Sequence, residues 1–203
     1  VSLIEDGAVT TDAATHTGDM VYLCNGLGAG QVGGWYEGEQ SPLKLRPVRG
    51  DMLRLRVPEG MEAPVGRVIR AFVEDRPVYI IPRTDGTIAV GATSREDARR
   101  GPAVDGVYTL LRDAIRIVPG IQECEFIEAI TGERPGTPDD LPYLGKVGEK
   151  LVVSTGYFRH GILLSALGAT VGAALGMGKS VPALEAEMAP EIDLASCAPL
   201  RHA

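Results

Sequence analysis

The sequence predicts an α+β fold, built largely on antiparallel sheet with flanking helices. Short apolar runs are separated by turn signals rather than by helical stretches, which favours a meander over strand–helix–strand units. Only two stretches, 105–118 and 161–178, read as long helices. No internal repeat or low-complexity tract interrupts this pattern.

Each element has its own signal. Residues 1–10 read as a strand entering a turn at Asp6-Gly7. The apolar run 20–24 ends in the Gly-rich NGLGAG (25–30), as a buried strand does when it feeds a loop at a sheet's carboxyl end. In PVRGDMLRLRVP (47–58), Met52, Leu53, Leu55 and Val57 alternate with Asp51, Arg54 and Arg56, the mark of a half-exposed strand stopped by Pro58. Residues 67–75 and 77–83 are two further strands, and 84–86 (TDG) turns the chain into a returning strand at 87–93. From Asp105 to Val118 the apolar residues Val107, Leu110, Leu111, Ala114, Ile115 and Val118 recur at helical spacing, and Pro119-Gly120 ends the helix. Residues 124–145 run from a strand into a loop crowded with Pro and Gly, and 150–156 form another buried strand. The tail from 180 to 203 is weakly patterned, with a short helix within 182–190.

Composition narrows the function classes. Across 203 residues, 44% are hydrophobic and 23% charged, as in ordinary globular chains. A net charge of −7 argues against a nucleic-acid partner, which calls for clustered Lys and Arg. Three scattered cysteines, Cys24, Cys124 and Cys197, form no metal or disulfide framework and fit a reducing cytoplasm. The opening residues are acidic and carry no basic secretory leader.

The segment STGYFRHGILLSALGATVGAALG (154–176) concentrates the chemistry. Residues 161–178 carry no charge, yet five of them are glycines, which weaken a helix by roughly 1 kcal/mol each relative to alanine. Their spacing at 168, 172 and 176 predicts a buried helix lying close against a sheet or cofactor, rather than a membrane span. Its first N–H groups lack internal partners and favour anions or ligand oxygens, and Arg159 adds a forked cation just outside. Arg134, read as part of a rigid loop after a strand, and Tyr79, on a strand, are further candidates to face an anionic ligand. Acid–base candidates are few. His16 lies in a polar turn, His202 in the tail, and His160 beside the glycine helix. Asp139-Asp140 reads as a turn pair, and no nucleophile–histidine arrangement or metal cluster is legible. An anion pocket without an acid–base engine points to a cofactor that carries the reaction.

Three segments, YIIPRTDGTIAVGAT (79–93), ERPGTPDDLPYLG (133–145) and STGYFRHGILLSALGA (154–169), resemble in order and spacing the FAD-dependent amine oxidase family of D-amino-acid, sarcosine and glycine oxidases. The resemblance covers most of residues 15–178. The combination R-P-G-T-x-D-x-x-P-Y-x-G with G-x-F-R-x-G-I-L-L is most similar to the glycine-oxidising branch that serves thiamine biosynthesis. It implies FAD as cofactor, a small amino acid as substrate, no catalytic side chain, no metal, and no nucleic-acid or membrane partner, with homo-oligomers possible. By resemblance, Arg134, Tyr79 and Arg159 hold the substrate, while Tyr157, Phe158, Arg159, His160, Gly161, Ile162 and Leu163 run along the flavin. The implied layout is a partial, truncated FAD-binding lobe at 1–36, a substrate lobe at 37–132, a return to the FAD lobe with its helix at 133–180, and a tail at 181–203. Glu133, beside Arg134, is placed to neutralise or redirect it. No G-x-G-x-x-G fingerprint with a following acidic residue is present. The chain is therefore expected to be the C-terminal part of such an enzyme, inactive alone. Two alternatives stand beside this expectation: a stand-alone carboxylate-binding module, and a partner subunit of a multi-subunit amine dehydrogenase.

Overall fold

A computed structural model describes residues 3–5, 7–35, 40–189 and 191–203. Asp6 of the expected first turn, and the expected lobe boundary at 36–37, lie outside the described residues. The chain forms two compact units, the first from residues 1–47 and 134–203, the second from 48–133.

The second unit contains the meander that the turn signals predict, β6-β7-β8, extended by two strands from distant sequence. Strands β5 (Arg46–Arg56), β6 (Ile69–Val73), β7 (Arg76–Pro82), β8 (Thr87–Gly91) and β9 (Glu125–Gly136) share one sheet in the order β6-β7-β8-β5-β9. Register places Leu53 opposite Val90, Leu55 opposite Ile88 and Ile80 opposite Val90, so alternate residues meet on one face. Helix α1 (Val104–Ile117) covers that face, with Leu110 and Ala114 packed among Leu53, Leu55, Val78, Ile80, Ile88 and Val90. Beneath it sits a buried carboxylate, Asp51. It accepts from Arg95 (3.0 and 3.3 Å), Thr131 (2.7 Å) and the Ala103 N–H (3.3 Å). Burial alone would raise its pKa, but these donors together bring it below the ordinary value.

The first unit holds β1 (Leu3–Glu5), β2 (Ala8–Thr10) and β3 (Thr15–Thr17) as an antiparallel meander. His16 therefore lies in a strand, not in a polar turn. No apolar alternation announces β3, all three of whose residues are exposed. A second sheet pairs β10 (Tyr143–Val147) antiparallel with β11 (Leu151–Thr155), and β11 parallel with β4 (Val21–Leu23). On one side Leu23, Tyr143, Leu151 and Val153 join Trp35, Leu43 and Val32 in a core. On the other, Leu144 and Val152 meet helix α2 (Ser165–Gly176) and the short helix α3 (Val181–Glu187). The Gly-rich run after β4 winds into a 3-10 turn, Gly26–Gln31, rather than an open loop.

The glycine stripe of α2 lies against this sheet. A Cβ on Gly168 would collide with the Tyr157 hydroxyl, and one on Gly176 with the Tyr22 hydroxyl, while Gly172 faces Val152. The helix begins at Ser165, not near Gly161 as the composition suggests. The Leu164 N–H reaches His160 O, but the next bond, from Ser165 to Ile162 O, is already of the tighter 3-10 kind. With no side-chain cap at Leu164, nothing in residues 161–164 fixes a regular first turn.

Candidate functional site

Gly156 ends β11 and turns the chain outward. Its φ of +77° suits glycine, and a Cβ there would stand 2.5 Å from Thr137 Cγ2. Tyr157 then folds under α2, sharing a 2.8 Å hydrogen bond with Ser154 Oγ. Burial raises its phenol pKa. Phe158 also takes a left-handed conformation (φ +49°), and its N–H donates to Pro135 O at 3.0 Å. That bond joins the segment to the residue after Arg134. The Phe158 ring lies near two guanidiniums, with Arg159 Cζ 5.4 Å and Arg46 Cζ 5.9 Å from its centroid.

The two arginines differ in their partners. Arg46 donates through Nη2 to Asp140 (2.5 Å) and through Nε to Thr137 O (3.2 Å). Arg159 is exposed and meets no carboxylate among the described residues. Beyond it, His160, Gly161, Ile162 and Leu163 are also exposed, Ile162 at 94% and Leu163 at 78%. The N–H groups of Gly161, Ile162 and Leu163 find no acceptor among the described residues. A cation, a run of unpaired donors and an apolar surface thus occur together on one short segment.

Arg134 lies inside β9 and not on a loop. Pro135 and Gly136 read as loop residues in sequence, but β9 stands at the sheet edge, where a missing proline N–H costs no ladder bond. Glu133 meets the guanidinium of Arg49 at 2.5 Å. Tyr79 is half-buried on β7 of the second unit, its ring lying over Gly91 on the neighbouring strand.

Sequence reasoning did not single out Arg46, Thr137 or Arg201. Thr137, fully buried, donates from Oγ1 to Leu141 O (2.7 Å) and lies 3.0 Å from Asp139 Oδ1. Asp139 receives Arg201 at 2.8 and 2.9 Å and lies 3.1 Å from His202 Nε2. The Arg201 hydrogen bonds hold the Asp139 carboxyl well below the usual carboxylate range. Arg201 also stacks on Tyr143, 4.3 Å from the ring centroid. Arg201 and His202 stand more than sixty positions from Asp139, so no local pattern announces them.

The family model for FAD dependent oxidoreductases matches residues 1–175. The chain belongs to that family. A bifunctional protein ThiO/ThiG from Trichormus variabilis is 42% identical over 145 residues, 69% of this chain and 21% of that protein. A Rhizobium etli protein named ThiO, for a thiamine biosynthesis oxidoreductase, is 37% identical over 122 residues, 60% of this chain and 36% of that one. The crystal structure of glycine oxidase from Geobacillus kaustophilus superimposes with a TM-score of 0.71 at 30% identity, over 97% of this chain and 49% of that one. This family member therefore spans about half, or less, of the chains it matches. Among the described residues no group of three His, Cys, Asp or Glu could hold a metal, and no helix is long and apolar enough to cross a membrane.

Proposed function

We propose that this chain forms the substrate side and one flavin edge of an FAD-dependent oxidase for the amine of glycine or a similar small amino acid. Arg159 carries the reading: a guanidinium without a carboxylate partner among the described residues, tied through Phe158 to the strand that bears Arg134. Arg134 and Arg159 bind the substrate carboxylate, and Tyr79 is a further candidate for substrate binding. Bound FAD would supply the acceptor for a hydride from the substrate carbon, with O2 as terminal oxidant and H2O2 as its product. The amine proton leaves to water, and the resulting imine is hydrolysed to glyoxylate and ammonia. No base from the protein is needed when the amine arrives neutral.

The residues present fit the ring edge of that cofactor. The free N–H groups of Gly161, Ile162 and Leu163 suit the carbonyl oxygens of a flat heterocycle, and the exposed Ile162 and Leu163 side chains suit its apolar surface. Tyr157, Phe158 and His160 complete the segment on which it rests. The sequence carries no G-x-G-x-x-G of the kind that cradles a dinucleotide pyrophosphate. The names of the ThiO relatives support a place in thiamine biosynthesis.

Steady-state H2O2 production from glycine, in a protein pairing this chain with a dinucleotide-binding segment, tests the reading. Arg134→Ala is expected to raise KM by about ten- to a hundredfold, the worth of one charge-assisted contact of roughly 1.5–3 kcal/mol. Tyr79→Phe is expected to cost less. An unchanged KM removes Arg134 from the site. Calorimetric binding of glycine without flavin, and no H2O2, replaces the oxidase with a carboxylate-binding module.

A further inference from the structure

We propose that Arg46 is a positioning residue that sets the direction of the Arg159 guanidinium through the ring of Phe158. The inference rests on the reading of Arg159 as the anion-facing group. Both guanidiniums lie within 6 Å of one ring centroid, close enough for its electron-rich faces to attract each cation. Their charges are not equivalent. Asp140 offsets Arg46 at 2.5 Å, and Thr137 O takes its Nε–H at 3.2 Å. Arg159 meets no acid among the described residues. One cation is thus held by protein, and the other is left for a ligand.

The anchor behind Arg46 is firm. Thr137 is fully buried, and its hydroxyl closes the 137–141 turn on Leu141 O. Arg201 grips Asp139 with two bonds while stacking on Tyr143. Phe158 is fixed independently by its N–H bond to Pro135 O. Its ring thus lies near a guanidinium anchored by Asp140 and Thr137 and near one that meets no carboxylate among the described residues. A planar fork is required for this role, because a lysine keeps the charge but has neither the flat face nor the Nε–H directed at Thr137 O.

Fluorine NMR tests the proposal on the chain itself. Of the three phenylalanines, Phe72 and Phe126 are exposed, so 4-fluorophenylalanine labelling gives few resonances, and Phe158→Leu assigns the one that matters. Acetate serves as the probe anion. It is expected to shift the Phe158 resonance in the unsubstituted chain. Arg46→Lys, which leaves net charge unchanged, is expected to raise the acetate midpoint about two- to fivefold, the worth of an exposed cation–ring contact. Asp140→Asn, a second variant should Arg46→Lys fail to fold, removes the carboxylate charge from Arg46 and is expected to move the resonance before acetate is added. A Phe158 resonance indifferent to acetate, or a resonance and midpoint that Arg46→Lys and Asp140→Asn leave in place, overturns the proposal. If glycine is not oxidised while the acetate shift keeps its dependence on Arg46, the oxidase reading falls and the positioning role of Arg46 stands.

Discussion

At Gly156 the demands of backbone and packing coincide. The φ of +77° penalises any L side chain, and the space a methyl group would fill is occupied by Thr137 Cγ2. Thr137 cannot yield without disturbing the turn closed by its hydroxyl. Gly156→Ala is accordingly expected to destabilise the first unit by about 1–3 kcal/mol, read from urea unfolding followed by Trp35 fluorescence. A midpoint equal to that of the unsubstituted chain would show that β11 can end differently. The glycine itself is plain in sequence, but its reason is not, because Thr137 and Gly156 meet only in the fold. Arg159 is the opposite case. Its charge beside an uncharged helix marks it in one dimension, and its lack of a carboxylate partner among the described residues is then visible in three.

Among the elements, α1 was legible because six apolar residues between Val107 and Val118 fall at helical spacing against one sheet face. The start of α2 was not, because residues 161–178 are uniformly uncharged and contain no capping signal to separate turn from helix. β9 was misjudged at its end for a topological reason: only its edge position lets Pro135 remain in a strand. The turn between β6 and β7 shows another contact hidden from sequence. Glu74 and Asp75 both take positive φ, and Glu74 pairs with Arg116 of α1 (2.6 Å) and Arg76 (2.9 Å). Those bonds, Arg116 first, lower the Glu74 pKa from 4.5 to about 2. Because the folded value is depressed, its stabilisation is complete above about 4.5 and fades as pH falls towards 2. The melting temperature of Glu74→Gln should thus lie below that of the unsubstituted chain at neutral pH, with the gap closing across that window. A gap that persists at pH 2 would assign the turn's stability to something other than these ion pairs.

On the scale of the whole molecule, the two units differ in how they are drawn from the chain. Residues 48–133 are continuous and own a core, from Leu53 to Ile121, together with the buried Asp51–Arg95 pair. Expressed alone, they are expected to fold and to unfold cooperatively on heating, as circular dichroism would report. A gradual melt would show that this unit depends on the other. The β6-β7-β8 meander was readable because its pairings are local hairpins, whereas β5 meets β8 and β9 only across long stretches of chain. The first unit was harder to read, because its sheet joins β4 to β11 across the entire second unit.

That discontinuity sets an order of events on the ribosome. Leu23, Val32 and Trp35 are made before the second unit, yet the residues that bury them, Tyr143 to Val153, are made only after the whole of Val48–Glu133. At elongation rates of about 5–20 residues per second, the early segment waits roughly 4 to 17 s with its apolar side chains uncovered. The nascent chain thus has a window in which chaperone capture of this waiting segment competes with aggregation, and slower translation lengthens it.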